Sequence, residues 1–196
     1  MSKIFFITGK SCSGKDTIFT KLKNDKDLGL KTVVGYTTRP MRENEKNGRE
    51  YFFVNEEELN RLQKEKKVIE CRNYNTVHGV WSYFSVNDGQ IDTENGNYLY
   101  IGTLESLRQF IDYYGKEAVV PIYIEVETGE RLERAVKRER IQKSPKYKEL
   151  CRRFIADEED FSEENIKALG IDKRFFNSNL EECISEITEE IKSVSV

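Results

Sequence analysis

An apolar run, Ile4 to Ile7, leads into Gly9; a second glycine follows at Gly14, and Lys15 comes directly after it. This G-x-x-x-x-G-K spacing constrains the chain more than any other feature, because it calls for a strand, a curled loop and a helix in succession. Between the glycines, successive backbone N–H groups must turn inward together, and glycine permits the angles and the close approach this needs. The helix that follows presents its positive end to the same anion. Ile18, Phe19 and Leu22 recur at helical spacing and give that helix an apolar face. The segment is therefore expected to cradle a polyphosphate with Gly9, Ser11, Cys12, Ser13, Gly14, Lys15, Asp16 and Thr17, with Lys15 reaching the terminal phosphates. The competing explanation, a plain glycine-rich turn, does not account for the lysine.

One position departs from the motif. Asp16 stands where a Ser or Thr hydroxyl usually binds magnesium. A carboxylate is a hard oxygen ligand and can hold Mg2+ directly or through water. It can equally do no more than favour the helix N-terminus. Cys12 lies in the same loop, either as a small residue filling it or as a thiol activated by the helix end.

The rest of the composition narrows the class. With 196 residues there is material for one core with small excursions. Charged residues make up 34% and the net charge is only -3, which argues against a general nucleic-acid binder or a membrane-surface protein. No apolar run approaches the length of a transmembrane helix. The first strand begins at once, so no signal peptide is expected. The four cysteines form no C-x-x-C pair and read as reduced thiols, which suggests a cytoplasmic setting.

Along the chain, Thr32 to Val34 reads as a short strand, followed by a basic loop from Tyr36 to Arg42. Tyr51 to Val54 reads as a strand, and Asn55 with Glu58 opens a helix as a broad capping box. Val68 to Tyr74 and Val80 to Val86 read as two strands around a turn at His78-Gly79. Residues 36–92 thus form a small sheet with one helix, set between residues 1–35 and 93–196. In the latter part, Tyr98 to Ile101 and Val119 to Val126 are strands, with Pro121 expected near an edge or bulge. Thr103 caps a helix, and Glu130 to Arg140 is a strongly basic one ended by Ser144-Pro145. The next helix carries Tyr147, Leu150, Cys151, Phe154 and Ile155; the last opens at Asn179 and buries Leu180, Ile184, Ile187 and Ile191. Alternating strands and helices predict a parallel sheet covered on both faces.

Two further basic clusters carry chemistry. Arg39 and Arg42, with Tyr51 nearby, can grip a second phosphate, because arginine forks match phosphate oxygens and tyrosine adds a hydroxyl donor. Arg134, Arg138 and Arg152 sit in a helix–break–helix segment, which suits a mobile lid over a transferring phosphoryl group. The alternative for that segment is a charged helix face laced with Glu133 and Glu139.

Taken together, these residues resemble the guanylate kinase family. Thr37-Thr38-Arg39-Pro40-Met41-Arg42, with Glu45, Gly48, Glu50-Tyr51 and Phe53, is similar to that family's signature for the GMP phosphate. Val68-Ile69-Glu70 resembles its guanine-contacting glutamate, and Phe176-Asn177-Ser178-Asn179-Leu180 resembles a turn whose asparagine lies near adenine. The resemblance implies an α/β P-loop kinase core with a parallel sheet covered by helices, an inserted small mixed-sheet acceptor-binding domain over 36–92 and a helical lid over about 131–160. It implies ATP as co-substrate, GMP as acceptor, Mg2+ as cofactor, no nucleic-acid or membrane partner, and a monomer or homodimer. Lys15, Arg138 and Arg152 become the expected catalytic residues, Arg134 a further lid residue, Asn177 the adenine contact, and Arg39, Arg42, Tyr51, Glu70 and His78 the GMP site. His78 would donate to the acceptor phosphate or serve only as a turn residue. The chain also departs from the family: Gly35 replaces a serine, the tyrosine–glycine–serine turn becomes His78-Gly79-Val80, no acidic second guanine reader occurs between Tyr100 and Gly102, and residues 143–147 and 162–172 are unlike a standard lid. Two other readings therefore remain: a kinase of the same fold for another phosphorylated acceptor, such as a different nucleotide or a ribose phosphate, and a catalytically silent binding module.

Overall fold

β1 (Ile4–Thr8) is buried along its whole length, and the larger sheet is built around it. The computed structural model describes residues 2–76, 79–92 and 94–195. β1 lies between β7 (Tyr98–Ile101) and β8 (Val119–Glu125), parallel to both. β2 (Lys31–Thr32) and β9 (Arg174–Phe176) close the two edges, giving the order β2-β7-β1-β8-β9 with every pair parallel.

The unbroken apolar run of β1 follows from burial on both faces. Ile4 and Phe6 pack on one side with Leu107 and Phe110 of α3 (Leu104–Tyr114). Phe5 and Ile7 pack on the other with Ile18 and Leu22 of α1 (Lys15–Asn24) and Ile187 and Ile191 of α7 (Leu180–Val194). A strand covered on both faces has no reason to alternate apolar with polar. Parallel strands covered in this way leave their carboxyl ends as a rim, and the loop after β1 lies on it.

The second sheet is mixed, with order β4-β3-β6-β5. β3 (Tyr36–Thr37) runs parallel to β4 (Phe52–Phe53), while β6 (Gly79–Val86) is antiparallel to β3 and to β5 (Val68–Thr76). Leu59 and Leu62 of α2 (Glu56–Lys64) pack on Phe84 and Val86. The Asn55 side chain caps α2 by accepting from Glu58 N–H at 2.9 Å, but the Glu58 carboxylate pairs with Arg61 rather than returning to the cap. The β5–β6 register slips between Val68 and Glu70, a bulge that sets Glu70 opposite Ser85. Bulges re-aim side chains in this way.

Several expectations shift. The strand expected over 32–34 is β2 and ends at Thr32, and the basic loop begins as β3. Pro121 is in an interior strand, opposite Phe6 of β1, where only the other side is unpaired: Ile4 N–H donates to Ala118, and alternation along β8 turns the Pro121 nitrogen away from β1, toward a side that β9 reaches only at Tyr123. β9 and the short α6 (Glu163–Ala168) were not legible as elements, and Phe176, expected in a turn, ends β9. α4 (Thr128–Arg140) and α5 (Tyr147–Asp160) form the expected helix–break–helix. Of the apolar residues expected to line α5, Leu150 is buried while Cys151, Tyr147 and Ile155 are exposed.

Candidate active site

The loop between β1 and α1 is held open by close approach. A Cβ on Gly9 would lie 2.5 Å from the Ile124 carbonyl oxygen, and one on Gly14 would lie 2.3 Å from the Asn177 side-chain nitrogen. Gly14 is also left-handed (φ 87°) and serves as the N-cap of α1. Both glycines of the motif are thus demanded by this backbone. Lys15 begins α1, and its Nζ lies 3.8 Å from the carboxylate of Asp16, whose side chain is 87% exposed. Asn177 is buried beneath the loop: its side-chain amide donates to the Ser13 carbonyl at 2.8 Å, and its own N–H donates to the Glu125 carbonyl at 2.8 Å.

A cleft of about 600 Å³ starts at Gly9, Ser11, Lys15 and Asp16, runs along Val33, Val34 and Gly35, and reaches Tyr51, Arg72 and Tyr100. One wall at the loop end comes from α5. Asp157 accepts from the Ser11 N–H at 2.7 Å, so a carboxylate of the chain already occupies one of the inward-pointing donors. Arg131, fully buried and 3.9 Å from the centre of the Phe154 ring, reaches Asp157 at 3.4 Å and also pairs with Glu158. Lys10 holds Glu158 at 2.8 Å. Burial opposes the charge on Glu158, but Lys10 and Arg131 hold its carboxyl below the usual range. Asp160, without such a cation, is raised by burial and by its acidic neighbours Asp157 and Glu159.

At the other end, the Arg39 guanidinium is buried and forks onto Glu45, with Nη1 and Nη2 each 2.8 Å from a carboxylate oxygen. It also donates to Pro40 O at 2.8 Å and Tyr83 Oη at 3.1 Å, and it lies over Tyr51 and Phe53. That fork, with a further bond from the Arg42 N–H, holds the Glu45 carboxyl down at about 2. Tyr51 lies edge-on to Tyr83 at 5.6 Å, and burial pushes its hydroxyl up. Arg42 is exposed, and its side chain has no hydrogen bond or ion pair among the described residues.

A family model for guanylate kinase matches residues 1–194. The chain belongs to the guanylate kinase family. Across its length it is similar to the guanylate kinase of Porphyromonas gingivalis, 26% identical over 196 residues that cover 97% of each chain. It is 30% identical to that of Malacoplasma penetrans over 155 residues, 71% of this chain and 78% of that protein. The crystal structure of guanylate kinase from Anaplasma phagocytophilum has a similar fold, with a TM-score of 0.63 at 23% identity over 98% of this chain and 85% of that one. As a guanylate kinase family member the chain is an enzyme, a nucleotide kinase of the nucleoside monophosphate class, and among its described residues no helix is long and apolar enough to cross a membrane.

Within this guanylate kinase fold, the structure brings some expected site residues together and separates others. Lys15, Asp16 and Tyr51 line one cleft. Glu70 lies behind it, not in it. Its side chain is fully buried; Arg72 Nε donates to it at 2.9 Å, Ser85 Oγ at 2.9 Å and Tyr100 Oη at 3.4 Å. Asn177 braces the phosphate loop from below, a different task from the expected adenine contact. Arg134 ties α4 to the Asn177 carbonyl at 2.7 Å and pairs with Glu130, one turn earlier on α4, at 2.6 Å. Arg138 is exposed, and Arg152 is exposed and paired with Glu149 at 2.7 Å, so the lid arginines stand off the cleft wall. His78 lies outside the described residues. Sequence reasoning missed Arg72, Asp157 and Arg131. The only signal for Arg72 was a cation two residues from Glu70, in a strand otherwise read for its carboxylate.

Proposed function

We propose that this kinase transfers the γ-phosphoryl group of ATP to GMP, giving ADP and GDP, with magnesium. The observation that carries the proposal is the continuity of the cleft: the phosphate loop with Lys15 forms one end, and Tyr51, Arg72 and Tyr100 form the other. Two nucleotides laid end to end in such a space would meet at their phosphates.

Lys15 would bind the terminal phosphates of the donor, and the loop N–H groups would orient them. Arg42 would hold the phosphate of the acceptor, with Tyr51 adding a hydroxyl donor. Arg39, already forked onto Glu45, would shape that subsite from within. No general base is required, because a phosphate acceptor is already ionised, and the protein's work is alignment and charge neutralisation. Closure of α4 and α5 with the acceptor side (residues 36–92) would bring Arg138 and Arg152 in and exclude water. The residues fit magnesium: Asp16 is an exposed carboxylate at the cleft wall beside Lys15, and such ions are often held by one or two carboxylates plus substrate phosphates and water. When bound, the ion supplies charge neutralisation across the phosphate oxygens.

A second reading keeps the reaction and changes the acceptor to another monophosphate. The burial of Glu70 behind Arg72 favours it. Phosphoryl transfer from ATP should be measured as kcat/KM for GMP, dGMP, AMP, CMP and UMP. A clear preference for GMP supports the first reading. A preference for AMP or a pyrimidine replaces it with the second, and no turnover with any of them removes both.

A further inference from the structure

At the acceptor end of the cleft the charged groups on the wall are Arg49, Glu50 and Arg72, and the Glu50 carboxylate is already taken by Arg49 and the Lys46 N–H. Arg72 lines the cleft, with its side chain 15% exposed, whereas the Glu70 side chain is 0% exposed behind it. The Glu70 carboxylate takes the side of the guanidinium, Nε at 2.9 Å and Nη2 at 3.4 Å. That leaves the end-on N–H bonds of Nη1 and Nη2 without a partner among the described residues. Glu70 cannot easily turn away to read a base, because Ser85 Oγ and Tyr100 Oη both reach it and are themselves 2.6 Å apart. The other arginine on this wall, Arg49, is engaged by Glu50 at 2.5 Å and by the Asn44 carbonyl at 2.8 Å. Around Arg72 stand Tyr51, Tyr74, Tyr83 and Tyr100, a setting for a flat ring.

We infer that Arg72 is the specificity-determining residue for the acceptor base, donating from Nη1 and Nη2 to two acceptor atoms side by side, as guanine offers in O6 and N7. Glu70 is then a positioning residue that aims Arg72. The assignment rests on the guanylate kinase activity proposed above. An arginine fork suits guanine O6 and N7, whereas adenine offers N7 beside an amino donor that would face the guanidinium. It also accounts for the absence of an acidic reader between Tyr100 and Gly102: with the base held by its O6/N7 edge, the N1–H and 2-amino groups need no carboxylate.

Base analogues test this on the wild-type enzyme, without a variant. IMP keeps O6 and N7 and lacks the 2-amino group; 7-deaza-GMP keeps the N1–H and the 2-amino group and lacks N7. The expected result is an IMP kcat/KM within about threefold of GMP and a loss of about 10- to 150-fold with 7-deaza-GMP, the worth of one charge-assisted hydrogen bond. Arg72→Gln should lower GMP turnover and raise AMP relative to it, since glutamine pairs with adenine N6 and N7. A loss with IMP equal to or larger than the loss with 7-deaza-GMP overturns the assignment and returns base reading to Glu70, while good use of GMP in the same assay leaves the kinase reading intact. A wild type that uses no guanine nucleotide overturns the GMP reading on which the assignment rests.

Discussion

Asn177 offers a sharp test, because its placement and its family likeness assign it different tasks. In the structure its amide donates to the buried Ser13 carbonyl at 2.8 Å, and the amide nitrogen fills the space that a Cβ on Gly14 would need. Asn177→Ala removes that donor and leaves a buried carbonyl unsatisfied, which costs about 1–3 kcal/mol. For a chain of this size each kcal/mol moves the melting temperature by about 2–4 °C, so a fall of about 2–12 °C is expected without nucleotide. Asn177→Asp should be worse, since it places a carboxylate oxygen against the carbonyl where a donor stood. The loop would lose its curvature, so KM should rise alike for ATP and for GTP used as phosphoryl donor. A residue that touched adenine would behave differently: melting would stay near wild type, and the discrimination between ATP and GTP would narrow. Thermal melting of the nucleotide-free protein and donor kinetics on the same preparations decide between them. A melting temperature within about 1 °C of wild type for Asn177→Ala refutes the brace.

Lys15→Ala should abolish phosphoryl transfer while thermal melting stays near wild type, because among the described residues the Lys15 ammonium has only the 3.8 Å pairing with the exposed Asp16; retained turnover removes the phosphate-loop assignment. Asp16→Ala should raise the magnesium concentration for half-maximal rate, and an unchanged magnesium dependence leaves Asp16 as a helix-terminus residue. Arg42→Ala should weaken every monophosphate acceptor alike by roughly 10- to 100-fold, the scale of one charge-assisted hydrogen bond, and unequal losses among bases would place Arg42 elsewhere. The Glu45 carboxyl is depressed from 4.5 to about 2, so its pairing with Arg39 stabilises the fold fully above 4.5 and is lost as the pH falls toward 2. Urea unfolding of the wild type should therefore weaken through that window more steeply than that of Glu45→Gln, and parallel profiles would refute the pairing.

Much of the core was legible because burial on two faces leaves a direct trace. The run Ile4 to Ile7, the periodic Leu104, Leu107 and Ile111, and the last-helix stripe of Ile187 and Ile191 all became buried positions. The caps at Asn55, Thr103 and Asn179 were readable since each needs only a local side chain. β9 left no such trace: three residues with Arg174 half-exposed and Phe176 exposed carry no period. The α5 stripe misled in the opposite direction. Its apolar spacing is genuine, but α5 packs on α4 rather than on the sheet, and Ile155 remains 60% exposed. The bulge at Val68/Glu70 was also invisible, because register depends on the partner strand.

The harder lesson concerns charge. The sequence places arginines in clusters, but it cannot say which of them already have partners. In the folded chain Arg39 holds Glu45, Arg72 holds Glu70, Arg131 holds Asp157 and Glu158, and Arg152 holds Glu149. These pairs are unequal. The exposed Arg152–Glu149 pair is worth little and can be exchanged for a phosphate at small cost. The buried Arg39 and Arg72 pairs cannot, because removing either partner would strand a charge. Such cations would meet a ligand only with the N–H bonds left over, as fixed, pre-aimed donors. Arg42 and Arg138, exposed and without side-chain ion pairs among the described residues, are the opposite kind: on the proposed reading they would be free charges for a phosphate to gather. On the proposed reading, the site would combine a fixed wall for the part of the acceptor that must be recognised with exposed arginines for the phosphates that must be neutralised. On the same reading, Asp157 on the Ser11 N–H would keep the loop's donor satisfied until a more highly charged phosphate replaced it.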